Sequence, residues 1–401
     1  MSRAILLSAL FGCVFAGLLE ERSITSSSIN TQKLVERHDY PFEKYEVQTE
    51  DGYILEVHRI PHSPKNGPGS DKPVVFLQHG LLCSSSDWVL SGPENGLAFL
   101  LSDLGYDVWM GNARGNTYSR KHTKYTPLLQ FFWNFSWHEI GQYDIPAMID
   151  HVRSVTGADK IDYVGHSQGT TAFFVMNSIM DKYEDIIRSA HMLAPVGYMH
   201  NMKSPLASLG ARLLGQRNAF VSIIGSMEFL PNNKLMELLG SAICKETATI
   251  SAVCTNTLFL IGGFNEDNVN KTLLPEILAT TPAGCSVNQI LHYLQEYNSG
   301  FFRQWDYGLL NKKHYNENTP PKYRVENIRV PTYFYFSDND YLASVADVKR
   351  LISEIPASSV KGIHHVEDST FTHIDFLWGL NVKDMVYKYV IENLALSKSL
   401  D

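Results

Sequence analysis

The chain has 401 residues, 44% of them hydrophobic and 19% charged, which is enough apolar material for a large core and too much for a disordered polymer. Its formal net charge of -8 and the absence of a dense Lys/Arg cluster exclude the basic footprint that a nucleic-acid partner requires. One large domain, or a domain carrying an insertion, is the organisation such a length favours.

Residues 1–16 read as a secretory signal, with Arg3 as the positive end, an apolar run from Ala4 to Phe15 and the small-residue pattern Val14-Phe15-Ala16. The run falls short of the roughly 20 residues needed to span a bilayer, and Glu20, Glu21 and Arg22 follow at once. No later stretch is apolar enough to cross a membrane, so the mature chain is expected to lack a transmembrane segment and to be secreted or lysosomal. Two sequons, Asn134-Phe135-Ser136 and Asn270-Lys271-Thr272, fit that route. Of the five cysteines, Cys13 leaves with the signal, Cys244 and Cys254 lie close enough to be expected to pair, and Cys83 and Cys285 are expected to be buried thiols.

Alternation from Lys44 to Ile60 around Glu50-Asp51-Gly52 predicts a β-hairpin, and the Gly/Pro/Ser-rich stretch Pro61 to Pro73 a surface loop. Short apolar runs follow at Val74-Leu77, Tyr106-Met110, Ile161-Val164, Ala190-Leu193 and Thr332-Phe336, with helix-like segments between several of them. That rhythm predicts an α/β fold, a mostly parallel sheet covered by helices. It lapses between Pro195 and Asn327, where helix-like clusters without strong strand signals mark an insertion. Helices are predicted over Val345–Ile355 and Phe376–Leu394.

The chemistry concentrates at Gly165-His166-Ser167-Gln168-Gly169, which follows the strand-like run Lys160 to Val164 and precedes a helix-like run from Thr170 to Met180. Between strand and helix this pattern predicts a nucleophile elbow, a strained turn that lifts the Ser167 hydroxyl out of the sheet. A serine hydroxyl is a weak nucleophile and needs a histidine base oriented by a carboxylate, the order along such chains being Ser, Asp or Glu, His. The acid is expected just past the Thr332-Phe336 strand, at Asp338 or Asp340, either of which could instead cap the following helix. Among His364, His365 and His373, order and spacing select His373, in the loop before the last helix. Two backbone N–H groups must stabilise the developing oxyanion: those of Gln168, after the nucleophile, and of Leu81, in the Gln78-His79-Gly80-Leu81-Leu82 loop. No metal-binding spacing and no phosphate loop occur, so no metal and no cofactor are expected.

These stretches resemble the acid lipase family, the gastric and lysosomal acid lipases with their insect relatives, within the α/β-hydrolase superfamily. The likeness also takes in Gly111-Asn112-Ala113-Arg114-Gly115-Asn116-Thr117-Tyr118-Ser119-Arg120, Asn339-Asp340-Tyr341-Leu342-Ala343 and His373-Ile374-Asp375-Phe376-Leu377-Trp378, and runs from about His38 to about Leu394. The resemblance implies Ser167 as nucleophile, Asp340 rather than Asp338 as acid, His373 as base, and Leu81 and Gln168 as oxyanion donors. It divides the chain into a signal (1–16), a hydrolase core in two parts (17–195 and 326–401) and a cap with a lid (196–325), and matches Cys244 and Cys254 to a cap disulfide. Gly262 departs from it, standing where some members carry a further cysteine. The implied activity is hydrolysis of acyl esters of neutral lipids at a lipid–water interface. A short-chain esterase or thioesterase and an inactive lipid-binding protein are the other readings. Apolar residues recurring near helical spacing from about Met199 to about Pro231, among them Leu206, Leu209, Leu213, Phe220, Ile223, Ile224, Met227 and Phe229, are expected to form the lid.

Overall fold

A computed structural model describes residues 29–399 apart from 206, 207, 209, 212–226, 230–261, 264, 266 and 269. The predicted hairpin pairs β1 (Glu43–Gln48) with β2 (Tyr53–Ile60), Glu43 opposite Arg59 and Gln48 opposite Ile54. Its turn closes through Gly52 N–H to the Thr49 carbonyl at 3.0 Å, with Gly52 at φ 101°. The five short apolar runs are strands: β3 (Val74–Gln78), β4 (Asp107–Gly111), β6 (Ile161–His166), β7 (Ile187–Leu193) and β10 (Thr332–Phe336). With β5 (Lys121–His122) and β11 (Val360–His365) they join the hairpin in one nine-stranded sheet, ordered β1-β2-β4-β3-β6-β7-β10-β11, with β5 against β2. Pairing is parallel from β4 to β11 and antiparallel at the β1-β2-β4 end.

Strand composition explains position. Every residue of β3, β4, β6 and β10 is buried, as befits strands covered on both faces, whereas β11 alternates between half-buried and exposed at the sheet edge. Covering helices include α1 (Ile145–Thr156), which ends at Gly157 in the left-handed conformation, and α2 (Gln168–Ile179), buried almost throughout. Between β7 and β10 the described residues hold a two-residue antiparallel pair, β8 (Glu228–Phe229) with β9 (Cys285–Ser286), and the helix α3 (Val287–Ser299). Helix α4 (Val345–Glu354) starts at Ser344, whose hydroxyl accepts from Asp347 N–H.

The C-terminal helix differs from expectation. A short turn of helix at Asp375–Trp378 stops at Gly379, and the helix resumes as a π-helical segment, Lys383–Tyr387, leading into α5 (Lys388–Ser399). The break has a cause the local sequence does not carry. Asn268, from the segment between β7 and β10, accepts Leu380 N–H at its carbonyl (3.0 Å) and Asn381 N–H at its side-chain oxygen (3.2 Å). Among the described residues no helix is long and apolar enough to cross a membrane.

Candidate active site

Strand β6 delivers Ser167 to the sharp turn that starts α2. Ser167 has φ 51° and ψ -116°, a conformation that costs a non-glycine residue about 1–3 kcal/mol and persists only where the surroundings impose it. The surroundings are the flanking glycines: a Cβ on Gly169 would lie 2.3 Å from the Gln78 carbonyl oxygen, and one on Gly165 would lie 2.9 Å from the Gly169 carbonyl carbon. The two threonines after the elbow tie it down further. Thr170 Oγ1 donates to the Ser167 carbonyl (2.6 Å) and accepts from Val196 N–H (2.8 Å), while Thr171 Oγ1 donates to the Val196 carbonyl (2.8 Å).

The acid and base segments meet at the ends of β10 and β11. His373 Nδ1–H donates to Asp340 Oδ2 at 2.7 Å, with Asp340 fully buried and His373 4% exposed. Asp340 Oδ1 is occupied by Leu342 N–H (2.8 Å) and Ala343 N–H (2.7 Å), so the carboxylate performs the turn-capping role as well as facing the imidazole. The competing residues form a separate pair: His365 Nε2 meets Asp338 Oδ1 at 3.0 Å, both side chains solvent-exposed. His364 Nε2 hydrogen-bonds the Met385 carbonyl (2.7 Å). Ser167, Asp340 and His373 thus all lie where strands β6, β10 and β11 end, while Asp338, His364 and His365 do not join them.

The loop after β3 is held from two sides. His79 Nε2 accepts from Ala113 N–H (3.1 Å) and faces Asn116 Nδ2 (3.2 Å), so the ring proton sits on Nδ1 and is donated to the Gly80 carbonyl (2.7 Å). Burial pushes the His79 pKa down to about 4 and keeps the ring neutral. Neither Leu81 N–H nor Gln168 N–H has a hydrogen-bond partner among the described residues. Ser167 itself is 8% exposed, and amides without a partner beside such an elbow are the kind of donor an oxyanion requires.

The Gly111-to-Arg120 motif turns out to be scaffolding for that loop. Asn112 Oδ1 accepts from Ser85 N–H (3.0 Å) and Asn116 Nδ2 (3.0 Å). Arg114, fully buried, bonds Asp144 Oδ1 through Nε (2.7 Å) and both Asp51 oxygens (2.6 and 2.9 Å), with its guanidinium 4.0 Å above the Tyr53 ring. Burial raises the Asp144 pKa to about 6 against the pull of Arg114.

The remaining expectations divide by position. Cys244 and Cys254, and Leu206, Leu209, Leu213, Phe220, Ile223 and Ile224 of the expected lid, lie outside the described residues. Met227 and Phe229 pack on a small cluster with Val287, Leu291 and Leu294. Cys83 and Cys285 are buried free thiols, their pKa pushed well up by burial. Asn134 is exposed and Asn270 half-buried. Among the described residues no group of three His, Cys, Asp or Glu side chains is placed to hold a metal. A 750 Å³ groove lies at the opposite ends of the strands, where Arg59 pairs with Asp107 and Arg188 with Asp162.

An elbow serine at the end of a parallel strand, with a buried imidazole–carboxylate pair beside it, defines an α/β-hydrolase. The family models agree: a partial alpha/beta-hydrolase lipase region matches residues 31–92 and the alpha/beta hydrolase fold residues 73–380. Lipase 3 of Drosophila melanogaster is 50% identical over 90% of this chain and 91% of its own. Human gastric triacylglycerol lipase is 39% identical over 92% of each. A solved candidate lipase from Sulfolobus solfataricus superposes with a TM-score of 0.61 at 15% identity, covering 88% of this chain and 94% of its own, which shares the fold. The chain belongs to the acid lipase family and is a carboxylic ester hydrolase of the lipase type.

Proposed function

We propose that this enzyme hydrolyses acyl esters of neutral lipids, triacylglycerols or cholesteryl esters, through an acyl-enzyme on Ser167. The observation that carries the reading is the buried 2.7 Å bond from His373 Nδ1–H to Asp340 beside the Ser167 elbow. That bond leaves Nε2 unprotonated, the tautomer a general base requires. His373 Nε2 takes the Ser167 proton as Oγ attacks the ester carbonyl, and the oxyanion accepts from the N–H groups of Leu81 and Gln168. Collapse expels the alcohol, which takes the proton from Nε2. Water then enters by the same route, giving a proton to His373 and its oxygen to the acyl carbon, and the fatty acid leaves as Ser167 is reprotonated.

Around this centre the same reading assigns 196–325 to a cap, the stretch from about Met199 to about Pro231 to a lid that opens at a lipid–water interface, and Cys244 with Cys254 to a cap disulfide. Residues 1–16 are its secretory signal, directing a glycoprotein modified at Asn134 and Asn270 to the secreted or lysosomal route. The relatives' printed names, lipase and triacylglycerol lipase, support the substrate class.

The test is Ser167→Ala, which should remove about four or more orders of magnitude of kcat with the fold intact, and a serine-directed phosphonate should label wild type only. Hydrolysis by the folded variant at the wild-type rate would remove the nucleophile. Wild type is then tried on emulsified long-chain and soluble short-chain esters. A preference for the soluble series would replace the lipid reading with a general esterase.

A further inference from the structure

The mechanism above uses Ser167 and Gln168 of the elbow but leaves their neighbour His166 without a task. Its side chain is 2% exposed at the end of β6, among the costliest places to leave a polar ring. Its Nε2 lies 3.0 Å from the carbonyl oxygen of His373, which only accepts, so Nε2 carries the proton and Nδ1 does not. Among the described residues Nδ1 has no hydrogen-bond partner, and it faces the loop after β3, where a Cβ on Gly80 would come within 3.1 Å of it. The ring centroids of His166 and His373 are 4.9 Å apart.

His373 is therefore held at both of its main-chain polar groups. Its N–H donates to the Gly262 carbonyl (3.1 Å), a main-chain contact that any sequence would make. Its carbonyl, among the described residues, is held by the His166 imidazole. Holding that carbonyl restrains the main chain from which the imidazole reaches Asp340, at the end of the residue that the Gly262 contact leaves free. Burial lowers the His166 pKa well below its ordinary value, as does the nearby His373, so no second positive charge competes when His373 takes up a proton during turnover.

We propose that His166 is a positioning residue for the general base: its Nε2–H holds the His373 carbonyl and thereby keeps the His373 imidazole aligned between Asp340 and Ser167. Packing alone is a poorer account, because a leucine would fill the site without leaving an imidazole nitrogen buried and unbonded. The inference rests on the triad assignment of the preceding section.

The experiment compares His166→Leu, which keeps volume and removes the donor, with His166→Gln, whose terminal amide reaches about as far as Nε2. Both are measured on a soluble short-chain ester, with thermal unfolding and the rate of phosphonate labelling of Ser167. His166→Leu should lower kcat and the labelling rate about ten- to a hundredfold with KM within about twofold, the loss expected of a misplaced catalytic group. His166→Gln should recover most of both. Wild-type kcat in His166→Leu overturns the proposal, and so does an equal loss in the Leu and Gln variants, which would make ring shape the cause. Should the Leu variant not fold, His166→Asn takes its place, since it is polar but too short to reach the carbonyl; Asn and Gln variants of equal activity overturn the proposal. Ser167→Ala run in parallel keeps the two claims apart: its retained activity would remove the triad itself, whereas the His166 comparison bears only on alignment.

Discussion

Replacing Asp340 by Asn changes one atom and should separate the carboxylate's two duties. Oδ1 accepts Leu342 N–H at 2.8 Å and Ala343 N–H at 2.7 Å, while Oδ2 accepts His373 Nδ1–H at 2.7 Å. A carboxamide has one oxygen for these two places. With its NH2 toward the backbone amides it would leave two buried bonds unmade, about 1–3 kcal/mol each. The oxygen therefore stays with Leu342 and Ala343, and the NH2 donates to His373 Nδ1. That forces the imidazole proton onto Nε2, where it blocks acceptance of the Ser167 proton. A wrong-tautomer base costs on the order of 10⁴ in kcat, which is about 5–6 kcal/mol of barrier. Stability should change little, because every buried donor keeps a partner. Asp340→Ala should differ in being destabilised as well, by about 2–4 kcal/mol, since both loop amides lose their acceptor. Turnover of a soluble ester, with urea unfolding of all three proteins, tests both statements. An Asn variant holding more than about a tenth of wild-type kcat, or an Ala variant as stable as the Asn variant, would refute the reasoning.

Arg114→Met should lower stability by about 3–5 kcal/mol in urea unfolding, because the buried Asp144, its pKa already raised to about 6, must take up a proton or stay charged without its partner; a change under about 1 kcal/mol would show the network to be dispensable. Asp87, buried beside the oxyanion loop, has its pKa raised by burial from 3.8 to about 6, so the folded state holds that proton more tightly than the unfolded chain. Its stabilising share is full below the unfolded value and is lost as pH rises from about 4 through about 6, a decline of roughly 3 kcal/mol that Asp87→Asn should flatten. Urea unfolding at several pH values decides this, and identical slopes in both proteins would exclude Asp87 as the titrating group.

Much of the sheet was legible in the sequence because its signals are local. Strand β10 occupies the predicted Thr332–Phe336, since a parallel strand covered on both faces reads as a nearly continuous run of β-branched and aromatic residues. The elbow was legible for a related reason: Gly165 and Gly169 are demanded by close approach of backbones, and no other residue fits. The pairing of acid with base was less so. Residue order left Asp338 and Asp340 open, and what separates them is depth, with Asp340 buried against His373 and Asp338 paired at the surface with His365. The helix break at Gly379 was missed because its cause, Asn268, comes from another part of the chain.

The same distinction runs through the candidate site and explains which of its residues a motif reveals. A motif records residues that must be neighbours in sequence, so Ser167, its glycines and Gln168 stand out together. The groups that hold the base and the oxyanion loop act across the chain instead: His166 reaches the His373 carbonyl over a separation of 207 residues, and Ala113 reaches His79 over 34. Each of these imidazoles is buried, neutral and bound to a main-chain group, so nothing in its own sequence context separates it from a histidine that merely fills space. Their meaning appears only in three dimensions, where, on the mechanism proposed above, one secures the loop that carries the base and the other the loop that receives the oxyanion. A hydrolase that must hold three loops in register at the end of one sheet needs such cross-links as much as it needs its nucleophile, because alignment by even about 1 Å governs the rate.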